Sequence, residues 1–185
     1  MRVSQRLYHA RMIPPRPDPP SPPRQLTDPP PDIPPGAQGA PDIQIASARL
    51  RDLPAIAALQ RRAFPPPLAY TLSTLVVLWA LPWVRLLAAR RNGQILGVVI
   101  GDRVVEGGRV INLAVDPVVQ RQGVGTALLH AVERTLPGGD MTLMVQSGNS
   151  AARSLYRSVG YEDAAENPNY YGPGRPGVRM RKRRG

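Results

Sequence analysis

The chain has 185 residues, a formal net charge of +11 and no cysteine. The lack of cysteine excludes disulfides, zinc–thiolate sites and a cysteine nucleophile, and it fits a reducing cytoplasm, which is the expected location. Only two histidines occur, His9 and His130, and His130 falls on the polar side of a predicted helix. We therefore expect no metal site.

The N-terminal segment differs in composition from the rest of the chain. Residues 1–41 contain 13 of the 23 prolines and few large apolar side chains. Such a segment cannot bury enough apolar surface to form a core, so we predict a Pro-rich disordered extension over residues 1–41. Its first ten residues lack the apolar run of a secretory signal. Residues 42–185 are then one domain.

The first half of this domain predicts helices between strands. The expected elements are a strand over 43–48, a helix capped by Asp52 that runs to about residue 63, a helix over 73–81, and strands over 84–89 and 94–101. Residues 68–89 are apolar over nearly the length of a membrane span, but Pro82 and Arg85 interrupt them, so no membrane association is expected. The apolar helix 73–81 could be core, line an acceptor pocket or meet a second subunit. A monomer and a homodimer both remain open.

The second half predicts the remaining strands and helices. These are a hairpin closed by Gly107-Gly108 between strands 101–105 and 109–115, a helix over 123–136, a strand over 141–146, a helix over 150–158, and a closing antiparallel pair made by the chain from Tyr161 onward and by residues 178–182. This order predicts a mixed α/β sheet. The basic cluster 179–184 is interpreted as an edge strand with a solvated tail, although its charge is also compatible with nucleic acid or ribosome contact.

A glycine turn carries the first functional signal. Residues 111–115 read as a buried strand, Asp116-Pro117 ends it, and Gly123 and Gly125 open the next helix behind a polar turn. Glycines at a helix start leave backbone N–H groups free, and the helix dipole adds partial positive charge there. This arrangement suits a phosphate or diphosphate. The turn lacks the residues of a P-loop or a dinucleotide fingerprint. A plain strand-to-helix turn is the simpler alternative.

Two sequence blocks resemble the GNAT acetyltransferases. The first is Gln120-Arg121-Gln122-Gly123-Val124-Gly125 after Val115-Asp116-Pro117, and the second runs from Asn149 through Tyr156 to Tyr161 as NSAARSLYRSVGY. Both blocks stand in the family's order and spacing. The resemblance covers about residue 43 to the C-terminus. It implies a single mixed, mostly antiparallel sheet, flanked by helices, whose two central parallel strands splay apart.

The same resemblance implies acetyl-CoA as cosubstrate and direct attack of an amine on its thioester. It implies that Tyr156 protonates the leaving thiolate. It also implies a set of cofactor-binding residues, namely Leu113, Ala114, Val115, Gln120, Arg121, Gln122, Gly123, Val124, Gly125, Thr126 and Asn149.

The acceptor and the general base stay open at this level. Residues 112–115 and the Asn169-Tyr170-Tyr171 loop resemble the subgroup that acetylates protein N-termini, which implies that Tyr170 and Tyr171 flank an acceptor peptide. That subgroup usually has a glutamate base where this chain has Met144. Glu106, Asp116, Glu162 or a water chain could replace it, although Asp116 is better explained as a turn cap. A small-molecule amine acceptor and a non-catalytic acetyl-CoA-binding or protein-interaction module are the alternatives.

Overall fold

The computed structural model describes residues 43–66 and 68–184. The predicted Pro-rich extension over 1–41 lies outside these residues. Within the described ranges, the elements follow the predicted order β-α-α-β-β-β-α-β-α-β-β. They are β1 (Gln44–Ser47), α1 (Leu53–Ala63), α2 (Leu72–Ala80), β2 (Val84–Arg91), β3 (Gln94–Val104), β4 (Gly107–Val115), α3 (Val124–Thr135), β5 (Asp140–Gln146), α4 (Ser150–Ser158), β6 (Glu162–Asn167) and β7 (Gly177–Lys182).

The strands form one seven-stranded sheet in the order β1-β2-β3-β4-β5-β7-β6. Strands β4 and β5 are parallel, and the other pairs are antiparallel. The parallel pairing runs only from Gly107 opposite Asp140 to Val110 opposite Leu143. Beyond that point β4 stays paired with β3 and β5 stays paired with β7. The two central strands therefore separate at their C-terminal ends, which confirms the predicted splayed sheet.

Helices cover both faces of the sheet and divide the core in two. On one face, α3 and α4 pack against a cluster that includes Val110, Leu143 and Met180. On the opposite face, α1 and α2 pack against a cluster that includes Ile100 and Ala114. Alternation along a strand sends successive side chains to opposite faces, so one strand contributes to both clusters.

The predicted turn at Gly107-Gly108 is wrong. The chain reverses at Val105 and Glu106, and both glycines lie in β4. A Cβ atom on Gly107 would lie 2.3 Å from the Asp140 carbonyl oxygen, and one on Gly108 would lie 2.5 Å from the Met141 sulfur. These glycines therefore permit close approach of β4 to β5, which is a packing requirement that resembles a turn signal in sequence.

The assignment of the C-terminal basic cluster to an edge strand is also wrong. Strand β7 lies between β5 and β6, and β6 is the edge. Several of its charges are engaged: Arg181 pairs with Asp140, and Lys182 pairs with Glu133 at 2.7 Å. Arg184 donates to three backbone carbonyls, those of Glu133, Pro137 and Gly139. Much of this cluster thus ties β7 to the loop after α3.

The apolar stretch over residues 68–89 divides into helix α2 and the first part of strand β2, as predicted. Thr71 caps α2 by accepting a hydrogen bond from the Thr74 N–H. In the parts of the chain that the structure describes, no helix is long and apolar enough to cross a membrane. Asp52 stands at the predicted N-cap of α1, but its carboxylate bonds the Arg49 N–H and Arg90 rather than the helix.

Candidate active site

The gap between β4 and β5 is the main feature of the site. Ile111 is an extra residue in β4, because Ile100 of β3 faces Asn112 while Gly101 faces Val110. This bulge lies where the parallel pairing ends, and bulges are common next to active sites. Past it, one edge of β4 has no partner strand. The sheet thus opens a slot with a backbone edge along one wall.

Alternation along β4 decides which groups face this slot. The Asp116 N–H bonds the Leu96 carbonyl on the β3 side, so the groups of Ala114 also point toward β3. The backbone N–H and C=O groups of Leu113 and Val115 point the other way, toward the slot. The Gln120 side chain supports this placement by donating to the Val115 carbonyl oxygen at 3.4 Å. Of the three predicted β4 residues, Leu113 and Val115 can present backbone groups to a ligand, whereas Ala114 is buried against α1 and α2.

The glycine turn at the start of α3 presents a run of unpaired donors. Arg121 and Gly123 both have positive φ values, 64° and 80°, and Gly123 is the N-cap residue. No hydrogen bond joins the backbone N–H groups of residues 121–126 to any described residue. The helix dipole adds partial positive charge at the same place. The predicted residues Gln122, Val124, Gly125 and Thr126 belong to this run, and its geometry fits a diphosphate.

Packing also favours a small residue at position 125. A Cβ atom there would lie 3.0 Å from the Leu155 side chain of α4, so the helices approach closely at this point. Asn149, at the other side of that approach, is the N-cap of α4, and its side-chain oxygen accepts from the Ala152 N–H at 3.0 Å. This bond leaves the Asn149 amide nitrogen for a ligand. The two sequence blocks therefore meet in space beside the slot.

Tyr156 of α4 lies within electrostatic reach of Tyr171, whose hydroxyl bonds β5 where the slot opens. Its side chain is buried, and its ring contacts that of Tyr161 edge to face with centroids 5.9 Å apart. Burial raises the pKa of Tyr156 to about 12. No hydrogen bond joins its hydroxyl to a described residue, and unlike the Tyr161 hydroxyl it is not sealed from solvent. A protonated phenol without a partner is thus available as a hydrogen-bond donor.

The opposite face of the slot is lined by tyrosines. Tyr170 and Tyr171, in the loop between β6 and β7, contact each other edge to face at 4.8 Å. The Tyr171 hydroxyl donates to the Met144 carbonyl oxygen at 3.0 Å. Burial raises the pKa of Tyr171, and the neighbouring phenols of Tyr170, Tyr156 and Tyr70 raise it further. Tyr171 therefore fastens this loop to β5 where the central strands separate.

Sequence reasoning missed three residues of this face. Tyr70, half-buried in the loop between α1 and α2, lies within electrostatic reach of Tyr170, Arg109 and Asp102. Arg109 of β4 forms a bidentate ion pair with Asp102 of β3, at 3.0 and 2.5 Å. These strand residues face each other directly in the register. Opposite charges on the two strands of a predicted hairpin could have indicated this ion pair from the sequence. Only the fold, however, brings Tyr70 near the pair.

The three carboxylates considered as replacements for the glutamate base lie at different places in the fold. Asp116 caps the turn through the Val118 N–H and bonds Arg62, which lowers its pKa, so the cap explanation is confirmed. Glu106 is exposed at the hairpin end of the sheet, where the parallel pairing begins, and Glu162 lies on edge strand β6. No cluster of three metal-ligating side chains occurs in the described residues. Met144 itself cannot accept a proton, so the water chain stays a prediction.

These features fit acetyl-CoA. The cofactor's diphosphate matches the unpaired N–H run at the start of α3, and its amide-containing arm matches the free edge of β4. The Tyr156 phenol lies on the β5 side of the slot, within electrostatic reach of Tyr171. Each part of the cofactor thus has a chemical counterpart among residues that the fold brings together.

Comparison with known proteins agrees with this geometry. The family described as "Acetyltransferase (GNAT) domain" matches residues 82–184, more than half of the chain. An uncharacterised N-acetyltransferase of Methanocaldococcus jannaschii is 30% identical over 138 residues, covering 72% of this chain and 87% of that protein.

A second relative is the ribosomal protein bS18 alanine N-acetyltransferase of Escherichia coli. It is 39% identical over 84 residues, which are 44% of this chain and 57% of that protein. Its crystal structure superposes with a TM-score of 0.66, covering 76% of this chain and 93% of that one at 28% identity.

A third similarity is to the PaiA N-acetyltransferase of Thermoplasma acidophilum in complex with coenzyme A. It superposes with a TM-score of 0.66 at 15% identity, covering 77% of this chain and 99% of that chain, which demonstrates a shared fold. The chain belongs to the GNAT family and is an N-acetyltransferase that uses acetyl-CoA.

Proposed function

We propose that this enzyme acetylates the α-amine of a peptide or protein N-terminus. In this proposal the N–H groups of residues 121–126 hold the diphosphate and the β4 edge at Leu113 and Val115 holds the cofactor arm. Tyr156 is the general acid, and Tyr170 and Tyr171 flank the acceptor. Gln120 and Asn149 orient the turn and the arm beside them.

Three tasks must be met in acyl transfer to an amine. The bound cofactor supplies the acetyl group as a thioester. A backbone N–H of the free β4 edge donates to the carbonyl oxygen, where negative charge develops during attack. The Tyr156 hydroxyl donates to the departing sulfur. With a pKa of about 12 this phenol stays protonated at neutral pH, whereas a thiol near 8.5 is the stronger acid. Its hydrogen bond then stabilises the thiolate before any complete proton transfer.

The third task is the delivery of a neutral amine, and it is the main reason for proposing an α-amine as the acceptor. In this proposal no side chain acts as a dedicated base, since Met144 cannot accept a proton and its directly opposite neighbour on β7 is Arg179. An α-amine with a pKa near 8 is about 10% neutral at pH 7, but a lysine amine near 10.4 is only about 0.04% neutral. An enzyme without a dedicated base therefore works far better on an N-terminus than on lysine.

The cleft supports the same choice. The opening of the cleft is bordered by Tyr70 on one side and by Tyr170 and Tyr171 on the other. The Tyr171 hydroxyl fixes its loop to β5 through the Met144 carbonyl. Aromatic walls suit an extended peptide backbone and its side chains. The E. coli relative is named for an alanine of a ribosomal protein. The +11 charge would speed encounter with a ribosome-bound or nucleic-acid-bound acceptor.

The experiment is a thiol-release assay with acetyl-CoA across matched acceptors. The panel holds peptides with a free α-amine, the same peptides with a blocked α-amine and one internal lysine, and small diamines. We expect turnover only with free α-amines. Turnover of the diamines above that of every peptide would overturn the proposal in favour of a small-molecule acceptor. Loss of all thiol release in wild type, with CoA still bound, would instead favour a non-catalytic module.

A further inference from the structure

Part of the sheet beside the slot has no helical cover. On the face where α1 and α2 pack over β1 to β4, the side chains of β5 and β7 are half-buried or exposed. These side chains are Thr142, Met144 and Gln146 on β5, and Arg179 and Arg181 on β7. The acceptor cleft opens on this face, because Tyr170 and Tyr171 pack against Gly177 of β7 there.

Arg179 lies on this surface without a carboxylate partner among the described residues. Two other arginines of the same face are paired, Arg109 with Asp102 and Arg181 with Asp140. Arg179 is exposed, and no ion pair or hydrogen bond joins its side chain to a described residue.

The strand register explains why Arg179 lacks a counter-ion. It lies opposite Met144 on β5 and opposite Ala165 on β6. Directly opposite side chains in antiparallel strands are close neighbours on one face. The arginine therefore stands between two apolar neighbours, and one of them occupies the wall of the slot.

A second arginine lies in the loop that carries Tyr170 and Tyr171. Arg175 lines a cavity of about 180 Å³ together with Gln146, Ser147, Gly148 and Pro176. Its backbone bonds Gly172 and Tyr171, but its guanidinium has no partner among the described residues. Arg175 thus belongs to the loop that borders the acceptor cleft, and Arg179 belongs to the strand that follows this loop.

We propose that Arg179, supported by Arg175, selects acceptors with a carboxylate side chain at the residue after the acetylated N-terminus. This inference rests on the proposed function and narrows its substrate class to acidic N-terminal peptides. A planar guanidinium binds a carboxylate in a bidentate fashion and cannot lose its charge.

The dimensions agree with that assignment. Strands β5 and β7 are about 4.8 Å apart, as in any sheet. One residue of extended peptide spans about 3.5 Å. An acceptor whose amine enters the slot beside Met144 therefore places its second side chain within reach of the Arg179 guanidinium.

The test uses the full chain and three peptides that share an N-terminal alanine and differ at the second residue, which is aspartate, alanine or lysine. Wild type should give a kcat/KM about tenfold higher for aspartate than for lysine. Arg179→Glu should invert that order, and Arg179→Gln should remove it. Arg183→Glu is the matched control, because it makes the same charge change at an exposed position farther along the chain. It should keep the wild-type order.

Equal kcat/KM values for the three peptides in wild type would overturn this inference and leave the proposed function intact. So would a wild-type order that survives in Arg179→Glu. Turnover of none of the three, with other free α-amines also refused, would overturn both. A thermal melt and CoA binding by calorimetry establish that each variant is folded before the rates are compared.

Discussion

The Tyr171 hydroxyl donates a hydrogen bond of 3.0 Å to the carbonyl oxygen of Met144. This bond joins the β6–β7 loop to β5 just past Leu143, the last β5 residue that pairs with β4. The resemblance to N-terminal acetyltransferases implies a base at this position. Met144 instead contributes its backbone carbonyl, which accepts the hydrogen bond from the loop. Its side chain contributes an apolar wall, and its carbonyl fixes the loop that we assign to the acceptor.

Tyr156→Phe should lower kcat by roughly 10²–10⁴-fold, since a positioned proton donor typically contributes that much. The affinity for CoA should change little, because the phenylalanine ring still fills the site between α4 and the sheet. Tyr161→Phe is the control: it removes the hydroxyl of the neighbouring ring, which lies beside Glu133, so its turnover should equal that of wild type. Stopped-flow or steady-state thiol release measures both. Wild-type kcat in Tyr156→Phe would assign this tyrosine to packing alone.

The pH dependence of kcat/KM should rise from pH 6 and level off near the pKa of the acceptor α-amine, about 8. No second group of the enzyme titrates to produce an earlier plateau if solvent is the base. The falling limb should lie beyond the accessible range, since burial raises the pKa of Tyr156 to about 12 and the hydroxyl stays protonated below it. A plateau already reached at pH 6.5 would reveal a dedicated base.

Gly107→Ala should destabilise the fold by more than about 2 kcal/mol. The backbone at Gly107 has φ of +140°, and an added Cβ atom would lie 2.3 Å from the Asp140 carbonyl oxygen. Gly138→Ala is a matched control on the neighbouring loop, where nothing lies within 4 Å of the new atom. Urea denaturation of the two variants should separate them clearly. Equal stability would mean that β4 and β5 do not approach as described.

Asp116→Asn should reduce the free energy of unfolding by about 1 kcal/mol at pH 7, a modest value because Arg62 is half exposed. The Arg62 hydrogen bonds hold the pKa of Asp116 below its usual range. Such a group stabilises the fold above its unfolded pKa, near 3.9, and that stability is lost as the pH falls through the folded pKa.

The difference between wild type and Asp116→Asn should therefore shrink when urea unfolding is repeated at pH 3. Asparagine keeps the oxygen that accepts from the Val118 N–H, so the turn cap is preserved, while the charge and the hydrogen bonds from Arg62 are removed. Glu106→Gln, at an exposed hairpin position, is expected to change stability by less than about 0.5 kcal/mol. A pH-independent loss in Asp116→Asn would mean that the ion pair is not its source.

Local patterns were sufficient for much of the fold. Asn149 and the apolar spacing after it predicted α4 with its observed bounds, and the polar interruptions after Leu68 divided an apolar stretch into α2 and β2. The glycines at 123 and 125 predicted a helix start with free donors. Each of these signals acts within one turn of helix or one strand, where the residue type restricts the backbone directly.

Where sequence reasoning was wrong, the deciding contact was between distant segments. Gly107 and Gly108 have the sequence of a turn, but in the fold they allow β5 to pack closely against β4. The C-terminal arginines have the charge of an edge strand, but β6 pairs with β7 and forms the edge instead. A glycine that permits close approach and a glycine that permits a turn are identical in sequence. Strand order likewise depends on which pairing buries more surface across the whole sheet.

The sequence alone determined the family, the cofactor and the residues of the two blocks, because the diphosphate turn and the α4 tyrosine are encoded in short, continuous segments. Only the tertiary structure decided which residues surround the proposed acceptor cleft. Tyr70, Asp102, Arg109 and Arg179 come from four separate elements, and their meeting on one face follows from the separation of β4 and β5 and from the register of β7. A surface assembled from such distant positions has no local signal, since its chemistry depends on distances that only packing sets.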